Sequence, residues 1–231
     1  MRVLVVRPEP EAQATARRLE ALGHVAVVAP LSEIVAVQAI APAGPFDAIA
    51  VTSANAVRHG AAVLTPFRFC PAWCVGTHTA AAAHAAGLTV AGVADNAVAL
   101  VALIARSGTR HVLYPCGAVR RPDLETGLGA AGIAVQAVVT YANRDRMPDA
   151  KGIAALAPVD AVLLHAPSAA ARLVAWQGSA RLVADAAFIC MSQAVRDALP
   201  DAMHRRCVVA ARPNEASLLD ALGLAAPGRD A

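Results

Sequence analysis

The chain has 231 residues, of which 57% are hydrophobic and only 3% aromatic, and its formal net charge is +3. That length admits one large domain or two small ones. The lack of aromatics excludes a base-stacking RNA-recognition sheet, and thinly spread arginines with almost no lysine exclude a nucleic-acid-binding stripe.

The N-terminal "MRVLVVRPEP" meets Pro8 and Glu9 too early for the apolar core of a signal peptide, which points to a cytoplasmic protein. "RVLVVR" (2–7) is a β run. "EAQATARRLEALG" (11–23) reads as an amphipathic helix with Ala14, Leu19 and Leu22 inward and Gly23 just past its end. "HVAVVAP" (24–30) is the next strand. Then come "DAIAVT" (47–52), a helix from about residue 55, "AWCVG" (72–76), a helix over 79–86, and "LTVAGVA" (88–94). The apolar run "AVALVALIA" (97–105) is too short to span a bilayer and reads as a buried helix, so no membrane is expected. Five cysteines, an odd number in a reducing compartment, argue against disulfides. Cys70, Cys74, His78 and His84 invite a zinc site, but their spacing matches no tetrahedral signature, so no metal is expected.

From about residue 111 the order repeats. "HVLYPC" (111–116) answers "RVLVVR", and "RPDLETGLGAAGIAVQAVVTY" (121–141) answers the first helix with its following strand. "DAVLLHAPSAAARLVAW" (160–176) answers the segment from 47, "DAAFICMSQAVRDAL" (185–199) answers "PAWCVGTHTAAAAHA", and "AARPNEASLLDAL" (210–222) answers "VADNAVALVALI". The offset stays near about 110 residues, and two such copies mean duplicated domains rather than a solenoid. Each copy contains βαβ units, so each forms a parallel sheet covered by helices, with ligands expected beyond the carboxyl ends of the strands. From pattern alone the division falls near residue 107.

The predicted strand ends are polar. Thr52 and Ser53 stand where a strand turns into a helix. One of them caps that helix, and the same turn can present amides and a helix dipole to an anion. "VGTHTA" repeats the logic: Gly76 admits close approach and Thr77 or Thr79 caps. Ser168 and Ser192 are the counterparts in the second copy. Arg120 and Arg121, after a glycine turn, can grip carboxylates in bidentate fashion, and Arg7 opens the first helix similarly. Cys116 reads as a small strand-end residue rather than a nucleophile. Nucleotide-binding glycine patterns, a Ser-His-Asp order and a zinc-protease signature are lacking, so no cofactor is expected. Tyr141 ends an apolar strand, where a phenol can steady a leaving hydroxyl in a dry cleft or simply pack on a sheet edge.

Taken together, "VRPEPEAQATARRLEALGHVAVVAPLSEI", "AIAVTSANAV", "CVGTHTAAAA", "LYPCGAVRRPDLETGLGAAGI", "VVTYANR" and "APSAAA" resemble the uroporphyrinogen-III synthase family over essentially the whole chain and in the right order. The resemblance implies two flavodoxin-like α/β domains with parallel sheets, joined by a two-stranded linker, with a ligand cleft between them. One domain would comprise residues 1–34 and 143–231, the other 39–138, with linker strands at 35–38 and 139–142. The implied substrate is the linear tetrapyrrole hydroxymethylbilane, a polycarboxylate, closed with inversion of ring D and loss of water by a cytoplasmic monomer without cofactor. Tyr141 matches the tyrosine that assists hydroxide departure. Thr52, Ser53, Gly76, Thr77, Ser168 and Ser192 match carboxylate-binding rim positions. His165, Ala166 and Met191 depart from the family pattern, which has hydroxyl residues and a glycine there. These departures leave open a different class, a non-catalytic two-domain receptor for a polyanionic small molecule. The tail 226–231 is expected to be disordered.

Overall fold

A computed structural model describes residues 1–146, 148, 158–176 and 179–225; the tail 226–231 lies outside the described residues. The strands, in chain order, are β1 (Arg2–Val5), β2 (Val25–Val28), β3 (Ser32–Ala36), β4 (Ala48–Val51), β5 (Ala72–Val75), β6 (Val90–Ala94), β7 (His111–Gly117), β8 (Ala134–Asp145), β9 (Ala161–Leu164), β10 (Ala187–Cys190) and β11 (Cys207–Val209). They fall into two compact units, one made of Met1–Glu33 with Arg144–Ala231 and the other of Ile34–Asn143. The chain passes from the first unit to the second within β3 and returns within β8. The division therefore does not lie near residue 107, where hydropathy pattern alone puts it. The pattern records the repeat, whereas the unit boundary depends on which strands pair.

In the first unit the strands stand in the order β11-β10-β9-β1-β2, and every neighbouring pair is parallel. Counted along the chain this is the 2-1-3-4-5 order of flavodoxin-like sheets. In the second unit β6-β5-β4-β7-β8 forms the same parallel array, but the strands equivalent to β1 and β2 come last rather than first. Its order within the unit is therefore 3-2-1-4-5. β3 adds to the outer side of β8. Val37 N–H donates to Thr140 O and Arg146 N–H to Leu31 O, so one number falls as the other rises and this pair is antiparallel. Of the expected linker strand 35–38 only residues 35 and 36 belong to β3, which ends at Ala36, whereas 139–142 falls inside β8, which runs for 12 residues.

Burial explains why the central strands read as continuous apolar runs. Both faces of β4 ("AIAV") and β9 ("AVLL") are covered by helices, and all eight residues are fully buried. In the first unit Leu4, Val162, Leu164 and Phe188 pack to one side of the sheet, and Val3, Val5, Leu163 and Ile189 to the other. In the second, Val112 and Tyr114 join Leu100, Ile104, Leu124 and Leu128, while Ile49, Val51 and Leu113 join Val57, Val63 and Ala83. Each fully buried Val or Leu side chain contributes about 1.5–3 kcal/mol of transfer free energy, so a Leu163→Ala cavity would be among the costliest single changes. The helix Glu11–Ala21 buries Ala12, Thr15, Ala16 and Leu19. Leu22, expected inward, is exposed: the helix has ended at Ala21, and Leu22 is its cap before Gly23, which turns the chain at φ 79°.

Both units use an aspartate to tie the entry of a central strand to its neighbour. Asp47 Oδ2 accepts the N–H groups of Arg110 and His111, each at 2.9 Å. Asp160 Oδ2 accepts from Arg2 N–H at 2.6 Å. The two backbone bonds to Asp47 hold its carboxyl below the usual carboxylate range. Ties of this kind also account for the matching "DA" that opens both repeats. Among the described residues, no helix is long and apolar enough to cross a membrane.

Candidate active site

In the second unit the carboxyl ends of β4 and β7 meet β8 around a groove of about 570 Å³; Tyr141, expected to end its strand, stands within β8, which continues to Asp145. β4 runs into Thr52 and Ser53. Ser53 adopts an extended backbone and caps the helix Ala54–His59, its Oγ accepting from Asn55 N–H at 3.2 Å. Thr52 therefore does not serve as the cap. Its Oγ1 instead lies 3.0 Å from Tyr114 Oη. Tyr114 is a residue of β7 whose ring is buried among the helix-covered core and whose hydroxyl end lines the groove. Burial pushes its phenol pKa up, against the hydrogen bond from Thr52. Tyr114 is thus a neutral hydroxyl at neutral pH, able to donate to Thr52 or accept from it.

β8 brings Tyr141 to the same groove. The main chain there is pinned by Ala118 N–H donating to Tyr141 O at 2.9 Å. The helix Ala97–Arg106 approaches from another side, with Asn96 Oδ1 capping it by accepting Ala99 N–H at 2.9 Å.

The two adjacent arginines part company. Arg120 presents Nε and Nη2 to the two carboxylate oxygens of Glu125 at 3.1 and 2.8 Å. This bidentate pair occupies the Nε–Nη2 edge of its guanidinium, the edge that the sequence expectation assigned to a ligand carboxylate, while Arg120 still lines the groove. Arg121 lines the groove and has no ion pair among the described residues. Asp95 and Asp123 also line it, so the groove is mixed in charge and Arg121 is a cation in it that has no ion pair among the described residues.

Gly76 and Thr77 stand at the end of β5 in the same unit, outside the lining of the groove. Gly76, at φ 77°, is itself the N-cap of the helix Thr77–Ala85, and no side chain caps that helix. The expectation that Thr77 or Thr79 caps does not hold: the helix begins earlier than expected, which makes Thr77 its first residue and leaves Thr79 buried. The opening turn keeps the positive end of its dipole uncovered by protein hydroxyls.

The remaining predicted residues belong to the first unit. Arg7 Nη1 donates to Glu215 Oε2 at 2.8 Å and to Thr15 Oγ1 at 3.3 Å. Its charge is used internally, which again differs from a ligand-binding role. Thr15 donates to Glu215 Oε1 at 2.6 Å, and His165 Nε2 lies 3.2 Å from Oε2. The Glu215 pKa falls to about 2: burial acts to raise it, but the hydrogen bonds from His165 and Thr15 and the charge of Arg7 outweigh burial. Burial drives the His165 pKa down, against its bond to Glu215 and together with the charge of Arg7. A neutral His165 donating from Nε2 leaves Nδ1 as a buried acceptor with no partner among the described residues. Ser168 is an exposed second residue of the helix Pro167–Ala175, whose cap position is Ala166. Ser192 occupies the cap of Gln193–Arg196 but makes no side-chain capping bond.

Of the cysteines and histidines whose grouping invites zinc, Cys74 is buried in the core and Cys70 Sγ donates to Phe46 O. Among the described residues no trio of His, Cys, Asp or Glu is arranged to hold a metal ion. Two site residues escape a reading of the sequence. Tyr114 looks like one more residue of an apolar strand; its signal is a phenol where the first repeat has Val5. Glu215 follows Asn214 as Ala97 follows Asn96, and that exchange within matching caps is visible in the repeat.

A sequence-family model described as HEM4, uroporphyrinogen-III synthase HemD, matches residues 13–220. No curated protein sequence matches the chain. Among solved structures, a uroporphyrinogen-III synthetase from Helicobacter pylori 26695 aligns at 20% identity with a TM-score of 0.67, covering 97% of this chain and 100% of that one. A mutant uroporphyrinogen III synthase from the extremely thermophilic bacterium Thermus thermophilus aligns at 18% identity with a TM-score of 0.55, covering 97% and 98%. At such identities these two likenesses speak for the fold.

Proposed function

The chain belongs to the uroporphyrinogen-III synthase family, and from that premise we propose that it closes hydroxymethylbilane into uroporphyrinogen III, inverting ring D and releasing water. The reaction class is that of a cofactor-independent hydro-lyase, and the reading carries with it a cytoplasmic monomer acting on a small polycarboxylate.

The observation that supports this reading is the groove of the second unit, whose lining includes Tyr141, the hydrogen-bonded Thr52 and Tyr114, and Arg121, which has no ion pair among the described residues. Loss of the terminal hydroxyl of the substrate needs a proton at that oxygen, so that water leaves rather than hydroxide. Tyr141 is the donor. The cation left on the chain is attacked through the substituted carbon of ring D, and the resulting spiro compound fragments and recloses. Reclosure is through the other, unsubstituted α-carbon of ring D, and the hydrogen that this carbon carries leaves as the proton that returns the phenolate to phenol. Atoms and charge balance with water as the sole by-product. Arg121 pairs with a substrate carboxylate at the mouth of the groove, and the uncapped turn at Thr77 offers amides to another. Because the substrate is reactive without help, the task of the protein is to hold one geometry while the hydroxyl leaves.

The experiment adds purified protein to freshly prepared hydroxymethylbilane, oxidises the products and separates the isomers. Conversion to the type III isomer is expected. A product that is entirely type I, as forms without enzyme, overturns the proposal.

A further inference from the structure

β7 and β8 lose register at one point. Cys116 pairs with Val139, but Gly117 pairs with Tyr141, so Thr140 is the extra residue of a bulge within a parallel pair. Thr140 is fully buried, with its Oγ1 3.4 Å from the carbonyl oxygens of both Ala56 and Cys116. Its Cγ2 would lie only 3.3 Å from a Cβ placed on Gly60, so this side of the bulge is closely packed. The bulge is thereby held from behind, and the next residue, Tyr141, is laid across Gly117.

The contact at Gly117 is unusually close. A Cβ added there would stand 2.8 Å from Tyr141 Cζ and 2.9 Å from its phenol oxygen, distances that side chains do not adopt. The backbone of Gly117 is not in the left-handed region, so conformation does not require glycine at this position. What a side chain would meet there is the hydroxyl of Tyr141 and the carbon that bears it, the far end of a side chain that would have to move to make room.

We infer that Gly117 is a positioning residue: the missing side chain is the seat that fixes the Tyr141 phenol at its place in the groove. This rests on the role given to Tyr141 above. Any larger residue at 117 moves the phenol oxygen while leaving its chemistry intact. A shift on the scale of an ångström costs on the order of a hundredfold in a positioned reaction. Substrate binding, which draws on Arg121 and main-chain amides, does not depend on that seat.

The test compares Gly117→Ala in two backgrounds, the natural chain and Tyr141→Ala. With Tyr141 present, Gly117→Ala is expected to lower kcat by about tenfold to a hundredfold with KM changed by less than about threefold, and to lower the thermal midpoint. With the ring removed by Tyr141→Ala, the same substitution is expected to leave the thermal midpoint unchanged. An equal fall in midpoint in both backgrounds, or a rise in KM with kcat intact, overturns the inference. Should Gly117→Ala alone fail to fold, the inference requires that the Gly117→Ala, Tyr141→Ala double variant fold; failure of both overturns it. If the natural chain itself makes no type III isomer, the proposed reaction falls, and the midpoint comparison still decides whether Gly117 seats the ring.

Discussion

The two sheets have the same strand array, yet their switch points are opposite in character. In the first unit the register that pairs Val5 with Leu163 carries Arg7 opposite His165, two residues further on each strand. In the second, the register that pairs Leu113 with Ile49 carries Cys116 opposite Thr52, three residues further on each. The helix that covers each switch point is capped identically, by Asn214 accepting from Ser217 N–H and by Asn96 accepting from Ala99 N–H, both at 2.9 Å. The first residue inside the cap differs: Glu215 in one unit, Ala97 in the other. Arg7, His165 and Glu215 thus fill with an ion-pair network the place that Cys116, Thr52 and Ala97 leave open. One duplicated scaffold holds a plugged mouth and an open one, and a handful of side chains at the strand ends decides which is which. The contrast separates two uses of polar residues at strand ends. In the first unit they satisfy one another, and in the second they are left to face a ligand.

The largest expected effect tests the plug. Glu215→Ala removes the acceptor shared by Arg7, Thr15 and His165 and strands a guanidinium that is three-quarters buried. It should lower the unfolding free energy by about 3 kcal/mol in chemical denaturation. The same network makes the protein acid-sensitive. The Glu215 pKa is depressed in the folded state, so its stabilisation is complete above its unfolded value near 4.5 and is lost as pH falls toward about 2. The His165 pKa is also depressed, so the unfolded chain takes up its proton first and stability begins to decline as pH drops below about 6.5. A thermal midpoint that falls from pH 7 to 5 and again below pH 4.5, with the lower step absent in Glu215→Ala, checks both signs. A midpoint flat with pH would break the contrast between the two mouths.

The next effect tests the open mouth. Tyr141→Phe keeps the ring against Gly117 and removes only the donor, so kcat is expected to fall on the order of a hundredfold with a much smaller change in KM. Unchanged turnover would remove the phenol from the reaction. The smallest effect concerns the hydroxyl pair between β4 and β7. Tyr114→Phe leaves Thr52 at the groove, where its hydroxyl can turn to water, and should cost about 1 kcal/mol of stability. A loss several times larger would show that this pair, too, is part of a filled network and would blur the difference between the units.

Much of the molecule was legible along the chain. Apolar runs of four or five residues alternating with helical periodicity announced parallel sheets, because strands covered on both faces need no polar alternation. The repeated "DA" opening each central strand, and the repeated Asn before each covering helix, showed where the two copies correspond. That Thr52 or Ser53 caps a helix was readable because a cap acts through neighbours close in sequence; Tyr141 was readable as a phenol on an apolar strand, but β8 does not end there and runs on to Asp145. The fate of Arg7 was not readable, whereas the partner of Arg120, Glu125, lies only 5 positions away. A guanidinium bids for any carboxylate within reach, and Glu215 lies 208 positions from Arg7.

By itself, then, the sequence determined the local grammar: which segments become most of the strands and helices, and that the pattern occurs twice. Those outcomes follow from interactions over a few residues, namely side-chain periodicity, caps and turns. The tertiary structure decided which polar residues spend their hydrogen bonds on one another and which stay available, how one residue of slippage at Thr140 lays Tyr141 across Gly117, and that one switch point is closed while its twin is open. Those outcomes depend on distances between atoms remote along the chain, which only the packed sheet brings within hydrogen-bonding range.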